Sequence, residues 1–193
     1  MKTVIAIFLF ILPFVAIAQK QKLKVGKKAP SFELKNQTGE LISLEKLLEE
    51  KESLVVMFYI GSWNKYDKDY LADLQSVYPQ IQNKNAELVA ITRETSHFIS
   101  QAISEGGLEF PICMDNEWYV ISAYGCANKI SSGYLPQKHK EFSKMNATHT
   151  GSKDDVIPVP ATFIIGKDGK VKWTHFDPDY RQRPKVEDVL ENL

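Results

Sequence analysis

Between Ser31 and Ile42 apolar and polar positions alternate, with Phe32 and Leu34 ahead of Asn36-Gln37-Thr38-Gly39 and Leu41 and Ile42 behind it. Successive side chains of a strand point to opposite faces, so this stretch predicts a strand, a tight turn and a second strand. Leu44, Leu47 and Leu48 then fall on one face of a short helix. Leu54-Val55-Val56-Met57-Phe58-Tyr59 offers no polar side to water. Such a run predicts a strand buried on both faces, at the centre of a sheet. Tyr70, Leu71, Leu74, Val77, Tyr78 and Ile81 recur at helical spacing, and Pro79 is expected to kink or shorten the end of that helix.

The alternation continues with a strand over 88–92, a helix over 95–104, a strand over 109–114 and a helix over 117–124. Strands separated by helices imply a parallel sheet with helices on both faces. Residues 125–156 have weak periodicity; a structureless loop of that length is uncommon in a compact domain, so it is expected to hold a short helix over 137–144 or to cover a site. Strands over 161–165 and 170–176 flank Lys167-Asp168-Gly169, whose Asp-Gly is a strong hairpin signal. A last helix runs from Val186 to the end. No repeat and no second domain interrupt the chain.

The first residues read as an address. Lys2, an apolar run from Val4 to Ala16 and Ala16-Ile17-Ala18 before Gln19 have the form of a secretory signal peptide over 1–18. The run is shorter than the ~20 apolar residues that cross a bilayer, so the mature chain is expected to carry no membrane span and to be secreted or periplasmic. Residues 19–30 form a polar, basic arm, and 31–193 form the domain, with 125–156 as a long insertion. The 24 basic residues balance the 24 acidic ones, which leaves no electrostatic footprint for a nucleic acid.

Four segments together resemble one known family. They are Val25-Gly26-Lys27-Lys28-Ala29-Pro30-Ser31-Phe32, Phe58-Tyr59-Ile60-Gly61-Ser62-Trp63, Pro158-Val159-Pro160-Ala161-Thr162-Phe163 with its Asp168-Gly169 turn, and Asp177-Pro178-Asp179-Tyr180-Arg181-Gln182-Arg183. In order and spacing they look like the alkyl hydroperoxide reductase C and thiol-specific antioxidant family, in its peroxiredoxin-like branch of the thioredoxin superfamily. The resemblance implies an α/β thioredoxin fold: a central mixed five-stranded sheet flanked by helices, plus an N-terminal β-hairpin. It also implies a cysteine directly after the Gly-x-Trp element and a second one three positions later, a pair that reduces peroxides or exchanges disulfides. It implies as well a cis bond at Val159-Pro160, facing that pair and exposing a backbone edge to extended chains.

Asn64 and Asp67 stand where the resemblance places the two cysteines. Neither an amide nor a carboxylate can accept an oxygen atom from a peroxide and then form a disulfide, so the family chemistry cannot run there. What Asn64 can do is cap a helix, with Asp67 at the third helical position close to a capping box. The expected role is therefore binding, of an extended peptide, a protein partner or a small molecule, at Trp63, Asn64, Asp67, Val159, Pro160 and Thr162. No cofactor and no metal site is expected. The alternative is a thiol-dependent peroxidase that works through Cys113, and enzymatic activity stays open between the two.

Cys113 and Cys126 are the only cysteines. An eight-residue helix running back between them would separate their Cα atoms by about 12 Å, beyond the ~7 Å that a disulfide spans, and would leave Cys126 at the opposite end of the sheet. Cys113, among apolar neighbours near the end of a strand, reads as a small hydrophobe or as the relocated nucleophile. His97, His139, His149 and His175 show no ligand-like spacing and are expected at the surface. Asn146-Ala147-Thr148 matches a glycosylation sequon. Asp177, Asp179, Arg181 and Arg183 read as an exposed, ion-paired exit from the last hairpin.

Overall fold

The computed structural model describes residues 23–130 and 138–193. The signal peptide, the first four residues of the basic arm and the start of the helix expected over 137–144 lie outside the described residues. Among the described residues no helix is long and apolar enough to cross a membrane.

The chain opens with a hairpin of β1 (Glu33–Asn36) and β2 (Leu41–Ser43). Its turn is organised by one side chain: Asn36 Oδ1 accepts from Thr38 N–H at 3.0 Å, Thr38 Oγ1 at 2.7 Å and Glu40 N–H at 3.0 Å. Gly39 follows at φ 86°, a conformation that costs a glycine nothing. Ser43 then caps α1 (Leu44–Glu50) by accepting from Lys46 N–H.

The expected central strand is β3 (Ser53–Phe58), buried along its whole length. After it come α2 (Lys65–Asn83), β4 (Ala86–Thr92), α3 (Ser96–Gly106), β5 (Ile112–Met114) and α4 (Tyr119–Ala123). β6 (Ala127–Lys129), α5 (His139–Thr150) and β7 (Val156–Pro158) fill the long insertion. β8 (Ala161–Gly166), β9 (Val171–Phe176) and α6 (Val186–Glu191) complete the fold. Helix α2 continues through Pro79 to Asn83. The ring stands on the exposed side while Tyr78 and Ile81 anchor the last turn in the core, so packing carries the helix past the expected break.

The main sheet has the order β2-β1-β5-β4-β3-β8-β9. β3 pairs parallel with β4 and β4 with β5, but β8 runs antiparallel to β3. The sheet is therefore mixed rather than parallel, and the Asp168-Gly169 hairpin sets β9 antiparallel to β8 in turn. Five strands form the centre, and the N-terminal hairpin extends them through β1 against β5. Val55, Met57 and Tyr59 face α2, α3 and α6, while Leu54, Val56 and Phe58 face α1 and α4. A satellite cluster of Ile60, Ile130, Phe142 and Ile157 holds α5 and β7 at the end of the sheet where β3 finishes.

Leu74, with no exposed surface, sits in the middle of the α2 face. Leu74→Ala is expected to cost about 3 kcal/mol of stability, read as a lower urea midpoint at unchanged slope.

Candidate functional site

β3 and β4 end side by side and β8 begins opposite Phe58, so the loops 59–64, 93–95 and 159–160 converge at one edge of the sheet. That is the edge where α/β folds place their ligand sites. Asn64 is the N-cap of α2: it is buried, and its Oδ1 accepts from Tyr66 N–H at 3.2 Å. Asp67 is fully buried at the third helical position. Its carboxylate does not take the N-cap amide, as a capping box would, because Asn64 N–H donates to Gly61 O. Instead Asp67 Oδ2 accepts from Ile60 N–H at 3.0 Å, Gly61 N–H at 3.3 Å and Asn64 Nδ2 at 3.1 Å.

The other oxygen, Oδ1, is paired with the guanidinium of Arg183. Arg183 departs from the exposed exit expected of it. Its side chain is only 9% exposed, and it also donates to Tyr180 O and Gln182 O. Arg181 and Asp179 do form the expected exposed pair. Burial pushes the Asp67 carboxyl up, against the downward pull of Arg183 and the two loop amides.

Trp63 is the one residue of the expected binding set that is not buried. Its ring meets Phe142 edge-on at 5.0 Å. Val159, Pro160 and Thr162 are all buried, and among the described residues no peptide bond is cis. Val159-Pro160 is thus trans, the isomer that an X-Pro bond ordinarily favours, and Val159 N–H is already spent on Cys126 O at 2.6 Å. The short ribbon of β6 and β7 occupies the backbone edge that was expected to receive a peptide.

Cys113 lies on β5, two strands from β3, and Cys126 follows α4. Both thiols are buried, with no disulfide between them. Burial pushes the Cys113 thiol up to about 12, with Glu40 adding to the rise. Cys126 is at the site end of the sheet, not the opposite end, since α4 has only five residues before Gly125, at φ 75°, turns the chain toward β7. Asn146 is buried on α5, so the sequon is not presented.

Two neighbouring charges that sequence reading passed over organise the rest of the edge. Arg93, 1% exposed, meets Asp154 with two hydrogen bonds, at 2.7 and 2.8 Å, and donates to the carbonyls of Val156 and Asn116. Glu94, fully buried, accepts from Ser62 N–H at 2.8 Å and Ser62 Oγ at 2.9 Å, and meets His149 Nδ1 at 2.7 Å. His149 is therefore a buried side chain rather than a surface one. The available signal was Arg93-Glu94 itself, since two charges directly after a buried strand must find partners inside the fold.

A family model described as AhpC/TSA matches residues 25–174. The chain belongs to the AhpC/TSA family. The thiol-disulfide oxidoreductase ResA of Bacillus anthracis is 27% identical over 155 residues, covering 80% of this chain and 70% of ResA. The protein bcp of Helicobacter pylori, which carries a peroxiredoxin name, is 31% identical over 174 residues, covering 90% of this chain and 99% of bcp. The crystal structure of peroxidoxin BcpB from Mycobacterium tuberculosis superposes with a TM-score of 0.67 at 18% identity, over 88% of this chain and 96% of that one. The fold is accordingly the thioredoxin fold in its peroxiredoxin-like form, with the N-terminal hairpin the resemblance implied.

Two outcomes follow from the buried charges of this AhpC/TSA domain. Arg183→Met strands the Asp67 carboxylate and is expected to cost about 3–5 kcal/mol in urea unfolding, much of it regained in the double variant Asp67→Leu, Arg183→Met. Burial would raise the Asp154 carboxyl, but Arg93 and Val156 N–H hold it down at about 2. An unfolded aspartate ionises near ~3.9. Between these values the unfolded chain binds more protons, so this contribution to stability is present above the upper value and lost as pH falls through the lower one. Urea midpoints at about pH 5 and about pH 2 should fall further for the wild type than for Asp154→Asn.

Proposed function

We propose that this protein is an exported, redox-silent member of the AhpC/TSA family that works by binding a ligand, not by thiol chemistry. The observation that carries this reading is the wiring of positions 64 and 67. In a dithiol site the loop amides and the helix N-terminus are left to stabilise a thiolate. Here Ile60 and Gly61 N–H are spent on Asp67, Asn64 spends its side chain on the helix cap and on Asp67, and Arg183 closes the ring. Neither cysteine offers a substitute: Cys113, its thiol pushed up to about 12, supplies almost no thiolate at neutral pH, and Cys126 is buried in the same apolar cluster. Lys2, the apolar run and Ala16-Ile17-Ala18 support export.

The place for the ligand is the cleft that opens beside Trp63, the accessible member of the site. Asn64, Asp67, Val159, Pro160 and Thr162 are buried and do not line it.

The test is intact mass of the purified protein, wild type and Cys113→Ser, before and after a short exposure to dilute hydrogen peroxide and again after added thiol. Unchanged mass with both thiols titratable after unfolding is the expected result. A reversible gain of one oxygen, absent in Cys113→Ser, would make the protein a peroxidase with a relocated cysteine and overturn the reading.

A further inference from the structure

The cleft beside Trp63 holds about 670 Å³, within the range of small-molecule sites. It runs between α2 and α3: Leu71 and Ala72 line one side, Phe98 and Ala102 the other, with Trp63 and His149 at one end. Lys68 on α2 and Glu105 on α3 join the two helices at its rim through a 2.9 Å ion pair.

The His149 end is built with more care than a wall requires. Its ring stacks on Phe98, with centroids 3.7 Å apart and planes at 24°, and tilts against Trp63 at 6.1 Å. Beneath it the buried Glu94 takes Nδ1 at 2.7 Å, while Ser62 satisfies the rest of that carboxylate through its N–H and hydroxyl. A carboxylate only accepts, so Nδ1 carries a proton and the pair fixes the ring; in the neutral ring Nε2 is then the acceptor. Nε2 makes no hydrogen bond among the described residues, and His149 lines the cleft. Burying a glutamate is costly, and here it holds one ring in place at the end of a mostly apolar cleft.

From this arrangement we propose that the cleft binds a small planar aromatic compound bearing a hydroxyl, of the phenol or naphthol class, which donates its O–H to Nε2 of His149 while its ring lies between Phe98, Trp63 and the small side chains of Ala72 and Ala102. Charge selects this ligand over an aromatic acid, because an anionic head would sit above the buried Glu94 while Lys68 is engaged by Glu105. Size and backbone select it over an extended peptide. A peptide adds a strand to an open sheet edge, whereas the cleft lies between two helices. Aromatic walls favour a flat ring by edge and offset contacts. The proposal rests on the reading of the protein as a binder and names the chemistry of its ligand.

Calorimetric titration of the purified protein with 2-naphthol, 2-methoxynaphthalene and 2-naphthoate separates the possibilities, since the second has the same rings without the donor and the third carries the anion. Naphthol is expected to bind at least tenfold more tightly than either of the others. His149→Phe, which keeps a stacked ring but removes the acceptor, should bring naphthol to the level of the methoxy compound. Ala102→Phe, which fills the cleft from its rim and leaves Glu94 and His149 in place, should abolish binding of all three. Equal affinities, tighter binding of naphthoate, no binding at all, or naphthol binding indifferent to Ala102→Phe would each overturn the proposal. Because the peroxide experiment reads the thiols and the titration reads the cleft, either can fail without the other.

Discussion

The carboxylate of Asp67 is the point on which this end of the molecule turns. It binds the start of the loop after β3, the first turn of α2 and the segment before α6 into one unit, through two loop amides, the Asn64 amide and the Arg183 guanidinium. Taking a carboxylate out of water is costly, and the cost is met only because nearly every lone pair is used. The same groups explain the order of the loop. Donors that would stabilise a developing negative charge on a substrate or a thiol are already committed to a permanent one.

Next to it, Arg93 and Glu94 divide the edge between them. Adjacent in sequence, they reach in different directions: Arg93 to Asp154 and the carbonyls of Val156 and Asn116, Glu94 to Ser62 and His149. One fixes the approach to β7, the other fixes the last turn of α5 over the cleft. Thr95 N–H adds a bond to His149 O, which ties the end of α5 to the start of α3. The long insertion is thereby held to the sheet by buried charge as well as by the satellite cluster around Phe142. Charged partners of this kind are directional in a way that apolar packing is not, so they set where the insertion sits.

Local patterns in the sequence determine most of the fold, and long-range pairings determine most of the site. The polar turn at Asn36, the unbroken apolar run of β3, the helical spacing from Tyr70 to Ile81 and the Asp168-Gly169 hairpin all act over a few residues, and all are legible in the amino-acid order alone. Asp67 and Arg183 are 116 residues apart, and Glu94 and His149 are 55 apart, so no periodicity announces either pair. The ribbon of β6 and β7 escapes notice for another reason: three residues per strand are too few to show alternation. The expected isomer of Val159-Pro160 came from family likeness, and the protein's own hydrogen bond from Val159 to Cys126 marks where that likeness ends.

Cys113 and Cys126 share one apolar cluster with Phe58, Tyr124 and Phe163, without a disulfide between them. Sulfur there fills space as a methyl-bearing side chain would. The native fold therefore holds together without a disulfide, and its stability draws on packing and buried charge rather than on a covalent link between its two sulfurs.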